Sequence, residues 1–393
     1  MKVLFCHDGP IDIDENGNAY PVFFTENVLS RYYKIAQEIT LMTRTTLINP
    51  SDSHNLMSDM TRLKICSSPN LASFKNFFAN RKEAKRILKI ELEKADFVIA
   101  RLPSRIGNMA IDLAKKTNKP YLVELVGCPW DALWNYNIVG KLNAPAMYLE
   151  TKQKVKKSNY TVYVTSEFLQ KRYPTEGKST NCSNVELDEF EDQVIEKRLE
   201  KIKNMNLNGK FIIGTAAAVD VKYKGQQFVV EALAKLKDKG LKNFEYQIVG
   251  NGDQTFLKEI AYKNGVSNQV KFIGAIPHKQ IFTWLDELDF YVQPSKQEGL
   301  PRALIEAMSR GIPCLGAKTA GIPELLDKEF IFENAKNVEQ ISNILASFDI
   351  NKMLQQAQRN YDESKLYDKN IIENRRTEFF LKFKNEIIQE NKK

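Results

Sequence analysis

The chain has 393 residues, of which 43% are hydrophobic and 27% charged, and its formal net charge is +8. This length predicts two domains with substantial cores, and the composition is that of a soluble globular protein. No run approaches the roughly 18 apolar residues of a membrane-spanning helix, and the opening MKVLFCHDGPID meets polar residues too early for a signal peptide. Five cysteines without paired spacing fit a reducing cytoplasm rather than a disulfide framework or a zinc site. The modest positive charge is compatible with anionic lipid or a diphosphate substrate and gives little support to nucleic-acid binding.

Short apolar runs alternate with helical patterns through the first half of the chain. The predicted strands are residues 2–7, 39–43, 63–67, 97–102, 121–126 and 161–165. Such alternation predicts a parallel sheet covered by helices on both faces, whose ligands bind beyond the carboxyl ends of the strands. The candidates for ligand contact are therefore the residues just past the strands: His7, Asp8 and Gly9; Arg101 and Ser104; Gly127, Pro129, Trp130 and Asp131.

Two further stretches of this half have polar or charged patterns. Residues 10–20 are predicted to form a long polar loop, and Asp12 and Asp14 within it are interpreted as solvated side chains rather than as metal ligands. Residues 73–94 predict a basic amphipathic helix. Such a helix either lies on an anionic membrane surface or packs its apolar stripe on the sheet, and both alternatives stay open.

A change in composition marks the second half. Residues 186–208 are charged and lack strand signals, so a domain boundary is predicted near residue 185. A second sheet is predicted from strands at residues 211–215, 246–249, 270–273, 290–293 and 313–315, with helices at residues 226–239, 254–264, 279–288 and 301–309. A last helix is predicted from residue 367 to residue 393. The expected domains are 1–185 and 186–365, followed by a C-terminal helical segment over 366–393.

The strongest functional signal lies at residues 289–326, DFYVQPSKQEGLPRALIEAMSRGIPCLGAKTAGIPELL. A buried strand stops at Pro294 and Ser295, and a helix begins at Pro301 and ends at Gly311. Glu298 lies in the loop before this helix. Glu306 lies on the helix two turns further on and faces the same cleft.

The start of this helix is expected to bind an anion. The free N–H groups of Gly299, Leu300 and Arg302 face whatever lies over the helix start, where the helix dipole favours negative charge. Two carboxylates that can accept sugar or ribose hydroxyls thus flank a phosphate-sized site. A nucleotide sugar needs that combination.

Two other motifs of the second half carry candidate residues. Gly250, Asn251 and Gly252 end a strand and open a helix, in a Gly-Asn-Gly sequence that is also typical of an ordinary tight turn. Lys224 and Gly225 precede the helix at residues 226–239. No Gly-x-Gly-x-x-Gly follows the first strand of this half and no P-loop is present, so the sequence excludes the common dinucleotide and P-loop motifs.

These motifs closely resemble the donor site of glycosyltransferase family 4, the group 1 retaining glycosyltransferases. The residues that carry the resemblance are Pro-Ser before the loop, Glu-Gly-Leu-Pro at the turn, Glu-Ala-Met on the helix, and Gly-Ile-Pro followed by Gly-Ile-Pro-Glu. The resemblance is dense from Gly214 to Leu326. It implies the GT-B fold, in which two Rossmann-like α/β domains face a central cleft and a C-terminal helix crosses back to the first domain.

The resemblance also implies roles for the candidate residues. Glu306 would accept the ribose hydroxyls, Glu298 would hold a hydroxyl of the donor sugar, and Lys224 would grip the diphosphate. The other donor-side candidates are Gly299, Leu300, Pro301, Arg302, Lys222, Ser295, Gly250, Asn251 and Gly252. The acceptor-side candidates are His7, Asp8, Gly9, Arg101, Gly127, Trp130 and Asp131.

The implied reaction moves a hexosyl group from a nucleotide diphosphate sugar, expected to be UDP-linked, to an acceptor hydroxyl with retention. No metal and no further cofactor are expected. The implied acceptor is a saccharide or lipid-linked saccharide in the synthesis of cell-surface polysaccharide or glycolipid. We expect a cytoplasmic protein, with peripheral contact to the inner face of an anionic membrane as an added possibility.

The sequence departs from the family pattern in two places. The family carries a His near the transferred sugar where this chain has Val126 and then Gly127, and an Arg after the first strand of the second domain where this chain has Thr215 and Ala216. Lys222 is a weaker candidate for the missing positive charge. These departures leave open a noncatalytic GT-B protein that binds a nucleotide sugar or a partner enzyme. A second alternative is a sugar-nucleotide epimerase on the same fold.

Overall fold

The computed structural model describes residues 1–21, 24–49, 56–57, 59–71, 73–185, 187, 190–241 and 243–390. Two sequence predictions fall partly outside these ranges: the domain boundary at residues 185–186, and the end of the last helix at residues 391–393. Its strands are β1 (Lys2–Cys6), β2 (Ile11–Ile13), β3 (Ala19–Tyr20), β4 (Glu38–Thr43), β5 (Thr45–Leu47), β6 (Leu63–Ser67), β7 (Phe97–Leu102), β8 (Tyr121–Leu125), β9 (Tyr160–Tyr163), β10 (Lys178–Asn181), β11 (Phe211–Ala216), β12 (Phe244–Val249), β13 (Val270–Gly274), β14 (Phe290–Gln293), β15 (Cys314–Ala317) and β16 (Ile331–Phe332).

The α-helices lie between these strands and after the last of them. They are α1 (Glu26–Ser30), α2 (Phe74–Lys94), α3 (Arg105–Lys116), α4 (Pro129–Trp134), α5 (Ile138–Lys156), α6 (Phe168–Arg172), α7 (Asp192–Lys203), α8 (Gln226–Asp238), α9 (Thr255–Lys263), α10 (His278–Glu287), α11 (Arg302–Ser309), α12 (Val338–Ala346), α13 (Ile350–Ser364) and α14 (Lys369–Glu390).

Two parallel sheets organise the chain. The first has the strand order β10-β9-β8-β7-β1-β4-β6, and the second has the order β13-β12-β11-β14-β15-β16. In each sheet the chain starts in the interior and then builds outward in both directions, so the order reverses between β1 and β7 in the first sheet and between β11 and β14 in the second. Crevices at such reversal points are where open α/β sheets bind ligands. The predicted pair of Rossmann-like domains is confirmed.

The C-terminal helix returns to the first sheet, as the GT-B fold requires. Phe379, Phe380, Phe383 and Ile387 are all buried on one side of α14. The ring of Phe380 stacks on Tyr32 at 5.8 Å, and the ring of Phe383 meets Phe97 edge-on at 5.5 Å. This apolar stripe therefore attaches the end of the chain to the N-terminal core.

The predicted polar loop at residues 10–20 is wrong. Residues Ile11–Ile13 and Ala19–Tyr20 form an antiparallel hairpin that pairs with β5. Asp14 is buried, and its carboxylate accepts hydrogen bonds from the N–H groups of Asn16 and Asn18 and from the hydroxyl of Tyr20. The side-chain amide of Asn18, which also donates to this carboxylate, and these bonds lower the pKa of Asp14. Its carboxylate stabilises the turn of the hairpin and is not a solvated loop side chain.

Helix α2 packs its apolar stripe on the first sheet. Ala84, Leu88 and Leu92 are buried in a cluster with strands of that sheet. Ser73 caps the start of the helix by accepting a hydrogen bond from the N–H of Asn76, and Lys94 lies in the last turn where the helix dipole favours a cation. Of the two alternatives left open by the sequence, the structure therefore supports core packing for this stripe.

Candidate functional site

The cleft of the second domain forms where β11 and β14 end side by side, with Ile213 opposite Phe290. The segment after β11 carries Lys224, and the loop after β14 carries Glu298. Adjacent parallel strands place their carboxyl ends at one edge of a sheet, which explains how residues 74 positions apart in sequence meet.

An ion pair joins these two loops. Lys224 Nζ lies 2.8 Å from Glu298 Oε1, and the two side chains are 25% and 12% exposed. The side-chain amide of Gln293 donates to the same carboxylate oxygen at 3.1 Å. Gln293 is itself buried and accepts a hydrogen bond from the hydroxyl of Tyr291 at 3.2 Å. The carboxylate of Glu298 is thus fixed by a cation on one side and by a buried amide on the other.

Backbone contacts lock the same loops together. Gly225 has φ of 83°, and a Cβ at this position would lie 1.9 Å from the carbonyl oxygen of Pro294. Only glycine fits both the left-handed conformation and this approach. The N–H of Lys296 donates to the carbonyl of Tyr223 at 2.8 Å, and the Ser295 hydroxyl is buried and accepts a hydrogen bond from Gln293 at 2.9 Å.

The start of α11 presents backbone N–H groups to the cleft. Helix α11 begins at Arg302, and Pro301 is its N-cap in extended backbone rather than its first residue. Within the described ranges, no acceptor pairs with the N–H groups of Gly299, Leu300 or Arg302. The Arg302 side chain is exposed, whereas Leu300 is buried in the core. These N–H groups are open donors at a helix start, and the anion site proposed for them stays a prediction.

Glu306 lies on α11 with a side chain that is 12% exposed, and His278 Nε2 lies 3.1 Å from its Oε1. The imidazole of His278, at the start of α10, is 62% exposed. A carboxylate at this depth can accept hydroxyl hydrogen bonds from a ligand in the cleft. Sequence reasoning missed both Gln293 and His278. Gln293 could have been found from its place at the carboxyl end of a buried strand. The first sheet was searched by this rule, that ligands bind beyond the carboxyl ends of the strands.

The turn after β12 lies against the segment after β11. A Cβ at Gly250 would lie 2.0 Å from the carbonyl oxygen of Ala217, and the carbonyl of Asn251 accepts a hydrogen bond from the N–H of Val219 at 2.8 Å. At Gly252 a Cβ would lie 2.4 Å from the carboxylate of Asp220. The two glycines therefore let this turn pack closely on the segment that follows β11.

Lys222 is directed away from the Lys224–Glu298 pair. Its Nζ lies 4.3 Å from the centre of the Phe256 ring on α9. This contact is a cation–π interaction. The structure brings Lys224 to the carboxylate of Glu298 and leaves Lys222 on the ring.

In the first domain, His7 and Arg101 meet at the reversal point between β1 and β7. His7 Nδ1 lies 3.1 Å from the Arg101 carbonyl oxygen, and the ring packs edge-on to Phe24. Burial lowers the pKa of His7 from about 6.5 to about 4, and the nearby Arg101 guanidinium acts in the same direction. The imidazole is therefore neutral at pH 7.

The Arg101 guanidinium lies 3.8 Å from the carboxylate of Glu124. The same carboxylate accepts a hydrogen bond from the Tyr32 hydroxyl at 2.9 Å.

Asp8 and Gly9 hold the same edge of the sheet in place. The Asp8 carboxylate accepts from the N–H groups of Arg105 at 2.5 Å and Ile106 at 3.3 Å, at the start of α3. Burial raises the pKa of Asp8. The carbonyl of Gly9 accepts from the hydroxyl of Thr43. The contacts shown for Asp8 are those of a helix cap.

The two domains meet at the loop that carries Glu298. A Cβ at Gly299 would lie 2.5 Å from the carbonyl oxygen of Val126, so the segment Val126–Gly127 abuts the cleft at this loop. The carbonyl of Gly299 in turn accepts the N–H of Gly321 at 2.9 Å. The place at which the family carries its His is therefore next to the open N–H groups of the cleft. A Cβ at Gly127 would lie 3.8 Å from Pro103 Cδ, which is an ordinary van der Waals contact.

Two side chains that sequence reasoning did not assign make contacts between the domains. The Glu324 carboxylate accepts from the N–H groups of Ser166, at 2.6 Å, and Phe168, at 2.5 Å. The Asn135 amide donates to the carbonyl of Lys296 at 3.1 Å. Each contact crosses from one domain to the other. Glu324 belongs to the Gly-Ile-Pro-Glu motif that the sequence singled out.

Trp130 and Asp131 lie on α4, beside this contact region. Trp130 stacks on Trp134 with ring centres 5.2 Å apart, and Asp131 lies 3.8 Å from the guanidinium of Arg172. The structure thus places Trp130 in an aromatic cluster with Tyr148 rather than on the loop after β8.

Among the described residues, no group of three or more His, Cys, Asp or Glu side chains gathers as a metal site would require.

The comparisons with known proteins agree with this architecture. A model of the family described as "Glycosyl transferases group 1" matches residues 197–365. Protein CapJ of Staphylococcus aureus is 32% identical over 349 residues, which cover 88% of this chain and 85% of CapJ. The amylovoran biosynthesis glycosyltransferase AmsK of Erwinia amylovora is 38% identical over 111 residues, which cover 26% of this chain and 27% of AmsK.

A solved structure also shares the fold. HepE of Anabaena, in complex with UDP, aligns with a TM-score of 0.62 at 16% identity, covering 97% of this chain and 100% of that one. Two facing parallel-sheet domains tied by a returning C-terminal helix define the GT-B class. Together with the family match and the relation to CapJ along most of both chains, they show that this chain belongs to the group 1 glycosyltransferases.

Proposed function

We propose that the protein transfers a hexosyl group from a UDP-linked sugar to a saccharide or lipid-linked saccharide, with retention, during synthesis of a cell-surface polysaccharide. AmsK is named for the biosynthesis of the polysaccharide amylovoran, and HepE was solved with UDP. All five cysteines are free, which supports action in the reducing cytoplasm.

One observation carries the proposal: the Lys224–Glu298 pair lies next to the open N–H groups at the start of α11. A donor diphosphate seated on these N–H groups would accept a hydrogen bond from Lys224. Glu298 would then accept a hydroxyl of the donor sugar, and Glu306 would accept the ribose hydroxyls.

The reaction needs stabilisation of the charge that develops on the leaving diphosphate. The bond between the anomeric carbon and the phosphate oxygen breaks towards Lys224 and the N–H groups. The acceptor oxygen then bonds to the anomeric carbon on the same face, and its proton passes to the released phosphate oxygen. Donors arranged in advance in this way are each worth roughly 2.7–4 kcal/mol in a site that excludes water.

The backbone at Val126 and Gly127 is proposed to face the transferred sugar in place of the family His. The carbonyl of Val126 already abuts the loop that carries Glu298. No side chain of this segment then contacts the sugar, so its orientation depends more heavily on Glu298.

A panel of nucleotide sugars tests the proposal. Release of UDP that requires an acceptor, with the anomeric configuration of the product determined by NMR, would support it. Binding of UDP without turnover of any donor would favour the noncatalytic alternative, and release of free nucleotide without an acceptor would favour an epimerase. Because Lys224 and the N–H groups meet the diphosphate charge, activity should persist in EDTA. Loss in EDTA with recovery in manganese would refute this part.

A further inference from the structure

The solvent-facing side of α5 is apolar. Ile138, Val139, Leu142 and Leu149 are 77%, 57%, 77% and 56% exposed. They follow one another at helical spacing, and Pro145 and Ala146 between them are exposed as well. We call the side chains of Ile138, Val139, Leu142 and Leu149 the outer face of α5.

The inner side of the same helix is also apolar. Ala144, Met147 and Val155 are buried against the first domain. An ordinary surface helix has one apolar stripe and one polar face, and a helix that is apolar on both sides is normally covered on both. In the part of the chain that the structure describes, the outer face of α5 is left open to solvent. Contiguous exposed apolar surface of this kind marks an interaction site.

Aromatic and basic residues border this face. Trp134 and Tyr136, just before α5, are 43% and 75% exposed, and Lys141 Nζ lies 5.8 Å from the Trp134 ring centre. Residues 134–157 contain five lysines and one glutamate, a net charge of +4 out of +8 for the whole chain. That glutamate, Glu150, faces Lys154 at 3.7 Å. Lys154 is buried and also pairs with Asp112, and Lys156 pairs with Glu176. Among the described residues, the lysines of this segment without an ion pair are Lys141, Lys152 and Lys157.

This combination fits an anionic lipid surface. Trp and Tyr favour the boundary between headgroups and acyl chains, and lysines extend their ammonium groups to lipid phosphates while their stems stay on apolar surface. Helix α2, the helix with the basic pattern in the sequence, differs because its apolar stripe is already used in the core.

The segment before α5 also adjoins the cleft. Asn135 lies between Trp134 and Tyr136, and its amide donates across the domain contact to the carbonyl of Lys296 at 3.1 Å. A surface that docks here would therefore lie close to the mouth of the cleft between the domains.

We infer that the outer face of α5, with Trp134 and Tyr136, docks on an anionic lipid bilayer and holds the mouth of the cleft at the membrane surface. The docking itself stands on the geometry of α5. Its use, to reach an acceptor attached to lipid, rests on the proposed function.

Sedimentation of the full-length protein with vesicles tests the docking without any assay of activity. The probes are vesicles of phosphatidylglycerol mixed with phosphatidylcholine and vesicles of phosphatidylcholine alone. The test variant is Ile138→Gln/Leu142→Gln, and the matched control is Leu366→Gln/Ile371→Gln, which alters two exposed apolar side chains elsewhere on the protein. We expect the wild type and the control to bind the anionic vesicles, and the test variant to bind at least roughly tenfold more weakly. Added salt should weaken the binding.

Further measurements separate the possible causes of a loss. Since the substituted side chains are exposed, the thermal unfolding midpoint and UDP binding should match those of the wild type. Lipids carrying bromine on their acyl chains should quench tryptophan fluorescence in the wild type, and Trp134→Phe should remove the quenched component. This second readout does not depend on the folding of the double variant.

The inference is overturned if the wild type does not bind anionic vesicles, or if the test variant binds them as well as the control does. It is also overturned if light scattering shows a dimer in the wild type that the test variant dissolves, because a second copy would then cover the face. Failure of the proposed function would appear separately, as absent sugar transfer by a protein that still binds vesicles.

Discussion

The substitution Lys224→Ala should lower two separate quantities, the rate of sugar transfer and the stability of the free protein. In the free protein Lys224 Nζ lies 2.8 Å from Glu298, and both side chains are largely buried. Removing the lysine leaves the Glu298 carboxylate with the Gln293 amide as its remaining hydrogen-bond donor among the described residues. In the reaction it removes the cation that meets the leaving diphosphate.

The magnitudes follow from this geometry. Two unit charges at 2.8 Å attract by about 6 kcal/mol at an effective dielectric constant near 20, before the cost of removing both groups from water. Because that cost offsets much of the attraction, we expect the free energy of unfolding to fall by about 1–3 kcal/mol. The transition state loses one fixed donor, which should cost about 2.7–4 kcal/mol of transition-state stabilisation. The value of kcat/KM should therefore fall roughly 100- to 1000-fold.

A second substitution separates the two effects. Lys224→Ala/Glu298→Gln replaces the unpaired carboxylate by a neutral amide, so the double variant should regain most of the lost stability while kcat/KM stays low. The measurements are urea unfolding and steady-state kinetics on each variant. The matched control is Lys318→Ala, which breaks an exposed ion pair with Glu333 in the same domain and should change neither quantity by more than about 1 kcal/mol.

A kcat/KM for Lys224→Ala close to that of the wild type would refute the assignment of Lys224 to the diphosphate. Recovery of kcat/KM together with stability in the double variant would contradict the roles proposed for both Lys224 and Glu298.

Three further substitutions test other parts of the site. Glu306→Gln should weaken UDP binding in calorimetry without loss of the fold, because a carboxylate accepts hydrogen bonds roughly twice as strong as those of a neutral group; unchanged affinity would remove Glu306 from the site. Gly299→Ala should reduce kcat/KM with little change in the unfolding of either domain, since its Cβ would lie 2.5 Å from the carbonyl oxygen of Val126 and hold the domains apart; wild-type kinetics would contradict this. The neutral, buried His7 must gain a proton on unfolding in acid, so its stability contribution is present above pH 6.5 and is lost as the pH falls towards about 4. His7→Gln should flatten the loss of stability in that window, and an unchanged pH profile of urea unfolding would show that His7 is not its source.

Most of the sheet architecture could be predicted from the sequence because buried parallel strands leave a strong local signal. The strands Leu63–Ser67, Phe97–Leu102 and Phe290–Gln293 form over the predicted residues. Each is a short apolar run bounded by turn residues, and such a run has few other stable conformations in a protein of this composition. The helix start at Pro301 was placed within one residue, since proline has a restricted role there.

The hairpin at residues 11–20 could not be predicted in the same way. Its strands are two or three residues long, and its stability depends on Asp14, whose carboxylate gathers partners from its own turn and from Tyr20. The strand pairing with β5 comes from a segment more than thirty residues away. In sequence alone, such a carboxylate is indistinguishable from a solvated one.

In the candidate site too, some residues could be predicted from the sequence and others could be found only from the fold. Glu298 and Glu306 could be proposed from local pattern and Lys224 from the family resemblance, whereas the partners that fix them could not. His278 reaches Glu306 across 28 residues of sequence, and the contact of Gly299 with Val126 joins two domains. Lys222 and Lys224 are the same residue type two positions apart, so the sequence alone does not tell which one reaches the site. The fold shows that Lys224 meets Glu298 and that Lys222 lies on the ring of Phe256.

The pairing of Lys224 with Glu298 also bears on how the site keeps its geometry between turnovers. A lysine and a carboxylate that wait for a diphosphate and a sugar hydroxyl would each be strongly hydrated if they were alone, and that water would have to leave at each binding event. Paired at 2.8 Å, each is already stripped of most solvent and oriented by the other. In the proposed reaction, Lys224 would turn to phosphate and Glu298 to a hydroxyl when the donor binds, and neither would become unpaired. Little reorganisation then remains for the chemical step, and low reorganisation is the main source of electrostatic catalysis. The domain contact at Gly299 is made by the residue that follows Glu298, so one loop carries both the ion pair and a contact between the domains.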